Sequence, residues 1–82
     1  METNHNQLID KIPDVKVLYC ILTGLSYREI GIKFYSYNTN KFIYKVRTLM
    51  KILGLRNRRQ LAYFALSNNL VTAEKLSRYI EC

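Results

Sequence analysis

Over residues 39–53 the apolar side chains Phe42, Val46, Leu49 and Leu53 recur at alternating four- and three-residue spacing. That is the period at which one face of an α-helix returns, and it is incompatible with the two-residue alternation of a strand. On the other side of the same helix lie Lys41, Lys45, Arg47, Thr48 and Lys51. The segment is bounded as a helix should be. Asn38 stands where an N-cap accepts a backbone N–H, Gly54 can take the left-handed conformation that ends a helix, and Leu55 supplies the hydrophobic contact after such a stop. One face belongs to a core and the other is cationic.

The flanking segments read as further short helices. Pro13 and Asp14 predict a helix start, and Val15, Leu18, Ile21 and Leu22 give a first helix of about ten residues ended by Gly24. Ser26 is a natural N-cap for a second helix with Ile30 and Phe34 on one face. Tyr35-Ser36-Tyr37-Asn38 then reads as a turn before the cationic helix. Asn57 and Gln60 form a capping-box-like pair opening a fourth helix, whose inward stripe is Leu61, Ala65 and Leu66. Asn68 and Asn69 end it, and Thr72 caps a short amphipathic helix carrying Leu76, Tyr79 and Ile80. With three glycines and one proline in 82 residues, the many tight turns of a β-sandwich or barrel are not available. The expected fold is all-α, of four to five helices: a polar lead over 1–12 with Leu8, Ile9 and Ile12, a helix-turn-helix domain over 13–70, and a C-terminal amphipathic helix over 71–82 packed on it.

Charge gives the first indication of function. The net charge of +7 is uneven. Nine basic residues (Arg28, Lys33, Lys41, Lys45, Arg47, Lys51, Arg56, Arg58 and Arg59) and one acid, Glu29, fall between Arg28 and Arg59, giving +8. The other fifty residues carry four basic and five acidic groups. A basic segment set within a folding pattern is the electrostatic footprint of a nucleic-acid binder. Two short helices joined by a tight turn, the second cationic, form a helix-turn-helix. Its second helix fits the major groove while the first props it against the duplex.

Other classes find little support. Two cysteines and one histidine make neither a disulfide framework nor a usual zinc site. Cys20 lies in an apolar run and reads as a buried hydrophobe, while His5 and Cys82 sit at the chain ends. No acid pair, nucleophile with a base, or glycine-rich phosphate loop is present, so neither catalysis nor a cofactor is expected. No run of eighteen apolar residues predicts a membrane span. The polar opening METNHNQLID has no Lys or Arg and predicts no signal peptide, hence a cytoplasmic protein.

At this point the residues resemble a known family. Gly24-Leu25-Ser26-Tyr27-Arg28-Glu29-Ile30 resembles the G-x-S-x-x-E-I entry to the second helix of LuxR/GerE-type DNA-binding domains. The run Leu53-Gly54-Leu55-Arg56-Asn57-Arg58-Arg59-Gln60-Leu61-Ala62-Tyr63-Phe64-Ala65 is similar to that family's L-G-V-x-N-R-x-Q-A-V-x-x-A. The likeness spans roughly residues 14 to 70, with one extra residue in the turn at 35–37. It implies a small stand-alone bacterial regulator of transcription that reads double-stranded DNA with residues 39–53. By position, Ile43, Tyr44 and Arg47 would reach base edges. Phosphate contacts would come from Ser26, Tyr27, Arg28, Lys41, Lys45, Arg56, Arg58 and Arg59. Ala62, Tyr63 and Leu66 would form a homodimer surface, placing two reading helices on half-sites about 10 base pairs apart. RNA polymerase or another regulator is a further partner that the resemblance implies. The reading helix departs from the family's T-V-K-x-H. Here it is Lys41-Phe42-Ile43-Tyr44-Lys45, with Ile52 in place of the closing lysine. The competing expectation is a protein-interaction module on the same scaffold, holding another regulator through Ile43 and the tyrosines Tyr35, Tyr37 and Tyr44.

Overall fold

The computed structural model of the chain describes residues 14–80. The expected lead over 1–12, the Pro13 helix start, His5 and Cys82 lie outside the described residues. Within them the fold is all-α, with no strand and five helices: α1 (Lys16–Ile21), α2 (Tyr27–Phe34), α3 (Thr39–Leu53), α4 (Arg58–Ser67) and α5 (Ala73–Ile80).

The centre is α1, and it is shorter than its sequence pattern predicts: six residues rather than about ten. The chain tightens after Ile21, where Leu22 N–H donates to the Leu18 and Tyr19 carbonyls and Thr23 N–H to the Cys20 carbonyl. Gly24 then turns away at φ 83°. Nor is α1 buried along one stripe only. Val17, Leu18, Tyr19, Cys20 and Ile21 are all buried, because α3, α4 and α5 pack around it. The Cys20 thiol is enclosed and its pKa is pushed up to about 11, chiefly by burial. It is protonated and unreactive at neutral pH.

Helices α2 and α3 form the helix-turn-helix. Ser26 caps α2 reciprocally with Glu29: Glu29 N–H donates to Ser26 Oγ at 3.1 Å, and Ser26 N–H donates to Glu29 Oε1 at 2.9 Å. Two orphan donors are thereby satisfied at an exposed end. At the other end Lys16 Nζ reaches from α1 to the Phe34 carbonyl at 2.8 Å, a cation on a helix C-terminus. The turn brings α3 against α2 where Gly31 faces Thr39. A Cβ on Gly31 would stand 2.6 Å from Thr39 Cα and 2.9 Å from its Cβ. Only a residue without a side chain lets the two backbones meet there.

Phe42, Val46 and Leu49 of α3 are buried and join Leu18, Ile30 and Leu61 in one core. Asn38 Oδ1 accepts from Lys41 N–H at 3.0 Å, and Gly54 at φ 72° ends α3 with Leu55 N–H returned to the Met50 carbonyl. The fourth helix differs from its expected cap in one detail. Asn57 Oδ1 does accept from Gln60 N–H at 2.9 Å, but Gln60 Oε1 reaches past Asn57 to Arg56 N–H at 2.7 Å. Leu61 and Ala65 point inward, whereas Leu66, expected on the same stripe, is exposed. Helix spacing explains this: positions 61 and 65 lie four apart on one face, and 66 is rotated a further 100° toward solvent. In α5, Tyr79 stacks on Tyr19 at 5.2 Å and meets Phe34 at 5.3 Å, so this helix packs on the body. Ile80, expected inward, is exposed.

Candidate nucleic-acid interface

With Phe42, Val46 and Leu49 buried, the geometry of α3 fixes what its far side presents. Asn40, Tyr44, Arg47 and Lys51, at steps of four, three and four, form an exposed line along the opposite face. Tyr44 is 71% exposed at its middle. The side chains of Asn40, Arg47 and Lys51 have no hydrogen-bond or charge partner among the described residues. Lys41, also exposed, stands beside this line. Of the base-edge residues expected from the sequence, Tyr44 and Arg47 lie on the line. Ile43 sits on its flank, half-buried.

The cations expected at phosphates divide into free and committed groups. Lys41, Arg28, Arg56 and Arg59 are exposed, and their side chains make no hydrogen bond, ion pair or ring contact with other described residues. Lys45 is half-buried and pairs with Asp14 at 3.4 Å. Arg58 serves the fold: its Nη2 donates to the Ile21 carbonyl at 2.9 Å, and its guanidinium lies 5.3 Å from the centre of the Tyr27 ring. Tyr27 is itself half-buried, edge-on to Phe42 at 5.5 Å. Ser26 Oγ is occupied as the cap of α2.

Two clefts flank the Asp14–Lys45 pair. An apolar one is lined by Val17, Tyr44, Thr48 and Leu49, and a polar one by Lys16, Tyr35, Ser36, Asn38 and Lys41. Asp14 thus inserts a negative charge into an otherwise positive flank of α3. On α4, Tyr63 and Leu66 are exposed, and Ala62 is half-buried. Beside them a shallow apolar groove is lined by Leu55, Phe64 and Tyr63.

Sequence reasoning missed Asn40, although its place four residues before Tyr44 is a helical signal. It also missed the Asp14–Lys45 pair, which no local pattern encodes. One residue expected at a protein contact is displaced: Tyr35 is 7% exposed, with its ring 5.2 Å from Phe42 and beneath Lys16 Nζ at 4.5 Å. Among the described residues no group of three His, Cys, Asp or Glu side chains could hold a metal ion. No helix there is long and apolar enough to cross a membrane. No family model, curated protein or solved structure matches the chain.

Proposed function

We propose that this chain is a sequence-specific duplex-DNA-binding regulator of transcription, acting in the cytoplasm. It lays α3 in the major groove and pairs with a second copy through α4. The observation that carries the reading is the exposed line Asn40–Tyr44–Arg47–Lys51, flanked by Lys41, on the second helix of a helix-turn-helix. A helix with its side chains is about 10–12 Å across, against a groove about 12 Å wide. Arg47 carries the fork that pairs with guanine O6 and N7, Asn40 the amide that pairs with adenine N6 and N7, and Tyr44 a ring for a thymine methyl. Lys41, Lys51 and Arg28 supply the phosphate contacts that set orientation. Tyr63 and Leu66 supply apolar area for the pairing of two copies.

The exposure of Tyr44 also favours a second reading, in which α3 holds another protein rather than DNA. Titrating a labelled duplex at several salt concentrations separates the two. Duplex binding by the wild type should weaken steeply as salt rises, and Lys41→Ala with Lys51→Ala should reduce the logarithmic salt slope by about 0.9 for each phosphate contact removed. A wild type that does not bind duplex would leave the protein-interaction module as the reading of α3.

A further inference from the structure

The turn that joins α2 to α3 contains two consecutive left-handed residues, neither a glycine: Ser36 at φ 53° and Tyr37 at φ 70°. The geometry of the connection calls for that conformation. Tyr37 N–H donates to the Gly31 carbonyl at 2.9 Å and closes the end of α2, and Asn38 N–H donates to the Tyr35 carbonyl at 2.9 Å. Glycine would take this backbone without steric cost, and asparagine with little. A bulky aromatic in this region is a genuine outlier.

Packing does not account for it. Tyr37 is 79% exposed, and its ring and hydroxyl have no hydrogen-bond, ring or charge partner among the described residues. The fold therefore bears a strained backbone to present a side chain that it does not itself use. Strain of this kind concentrates where a side chain serves a partner.

The surroundings select the chemistry of that partner. Lys33 in the last turn of α2 and Lys41 in the first turn of α3 stand four residues before and four after Tyr37 in the sequence, both exposed. No Asp or Glu occurs between Glu29 and Glu74. Asp14, which borders the adjoining cleft with Ser36 and Lys41, is held by Lys45. A phenol in a cationic setting is a hydrogen-bond donor for an anionic oxygen. Its position in the turn, before the first residue of α3, puts it beside the groove-facing line rather than on it. We propose that the Tyr37 hydroxyl donates to a phosphodiester oxygen of the duplex on which α3 lies. This assignment rests on the duplex-binding reading above.

Two variants test it, each followed by thermal melting and by affinity for a duplex of about 20 base pairs, two helical turns. Tyr37→Phe keeps the ring and the strain but removes the donor. It should melt as the wild type does and bind about tenfold more weakly, the loss of one charge-assisted hydrogen bond. Tyr37→Gly should melt higher than the wild type and bind at least as weakly as Tyr37→Phe. Neither should alter the salt slope, because no cation is lost. If the wild type binds the duplex and Tyr37→Phe binds equally well, the hydroxyl contact is wrong, whatever Tyr37→Gly does. If the wild type does not bind duplex at all, the functional reading fails and this contact fails with it.

Discussion

At the scale of single residues, Tyr35 and Tyr37 are opposites within one turn. Tyr37 is presented to solvent, while Tyr35 buries its hydroxyl with no hydrogen-bond partner among the described residues. Burial, with the nearby Cys20 and Asp14 groups adding to it, pushes the pKa of that hydroxyl upward. An unpaired buried hydroxyl costs about 1–3 kcal/mol. Tyr35→Phe keeps the ring against Phe42 and beneath Lys16, so it should stabilise the fold by about 1 kcal/mol. In a domain this small that raises Tm by about 4–8 °C. A lower Tm would show that the hydroxyl makes a contact the fold depends on.

Glu29 gives a second prediction at this scale. Hydrogen bonds from the Ser26 backbone N–H, then from its side chain, hold the Glu29 carboxyl below its ordinary value of 4.5. A depressed carboxylate stabilises the folded state above its unfolded pKa, and that contribution fades as pH falls through the folded value. Glu29→Gln should therefore melt below the wild type at neutral pH, with the gap closing in acid. A gap that stays constant with pH would mean that the carboxylate charge contributes nothing to the cap.

At the scale of elements, the helix-turn-helix depends on one close approach. Gly31→Ala would drive a Cβ into the Thr39 backbone and side chain, and overpacking of this kind costs about 1–3 kcal/mol. Alanine favours helix more than glycine does by about 0.5–1 kcal/mol, so the net effect should still be destabilising, read by denaturant unfolding. A Gly31→Ala variant as stable as the wild type would show that α3 can shift away from α2 without loss. Gly31 itself was not distinguished in the sequence, because a glycine within an otherwise regular helical pattern gives no local sign of which neighbour it admits.

What could be read in the sequence follows the same division. The limits of α3, its Asn38 cap and its Gly54 stop were legible because each is a local backbone requirement met by a particular residue type. The roles of Lys16, Lys45 and Arg58 were not. Lys16 and Arg58 cap carbonyls on other helices, and Lys45 pairs with Asp14. Such contacts between distant residues leave no periodic trace. The inward placement of Leu66 and Ile80 failed because each directly follows an inward residue, Ala65 or Tyr79, and so lies about 100° further round its helix.

At the scale of the whole molecule, the basic residues divide into those left free on the surface of α3 and those tied into the fold. Lys16 and Arg58 hold helix ends, whereas Lys41, Arg47 and Lys51 remain free on α3. Asp14 moderates that surface by holding Lys45. On the duplex-binding reading, Asp14→Asn frees one cation, and should strengthen binding while steepening the logarithmic salt slope by up to about 0.9. Unchanged affinity and slope would show that Lys45 faces no phosphate.

On the proposed reading, α3 meets the duplex with its outer face. The most direct measurement is the change in backbone amide NMR shifts as duplex DNA is added to the labelled protein. The largest changes should fall at Tyr37, Asn40, Lys41, Tyr44, Arg47 and Lys51 and weaken together as salt is raised. Changes centred on α5, or no changes at a duplex concentration that saturates other helix-turn-helix proteins, would contradict it.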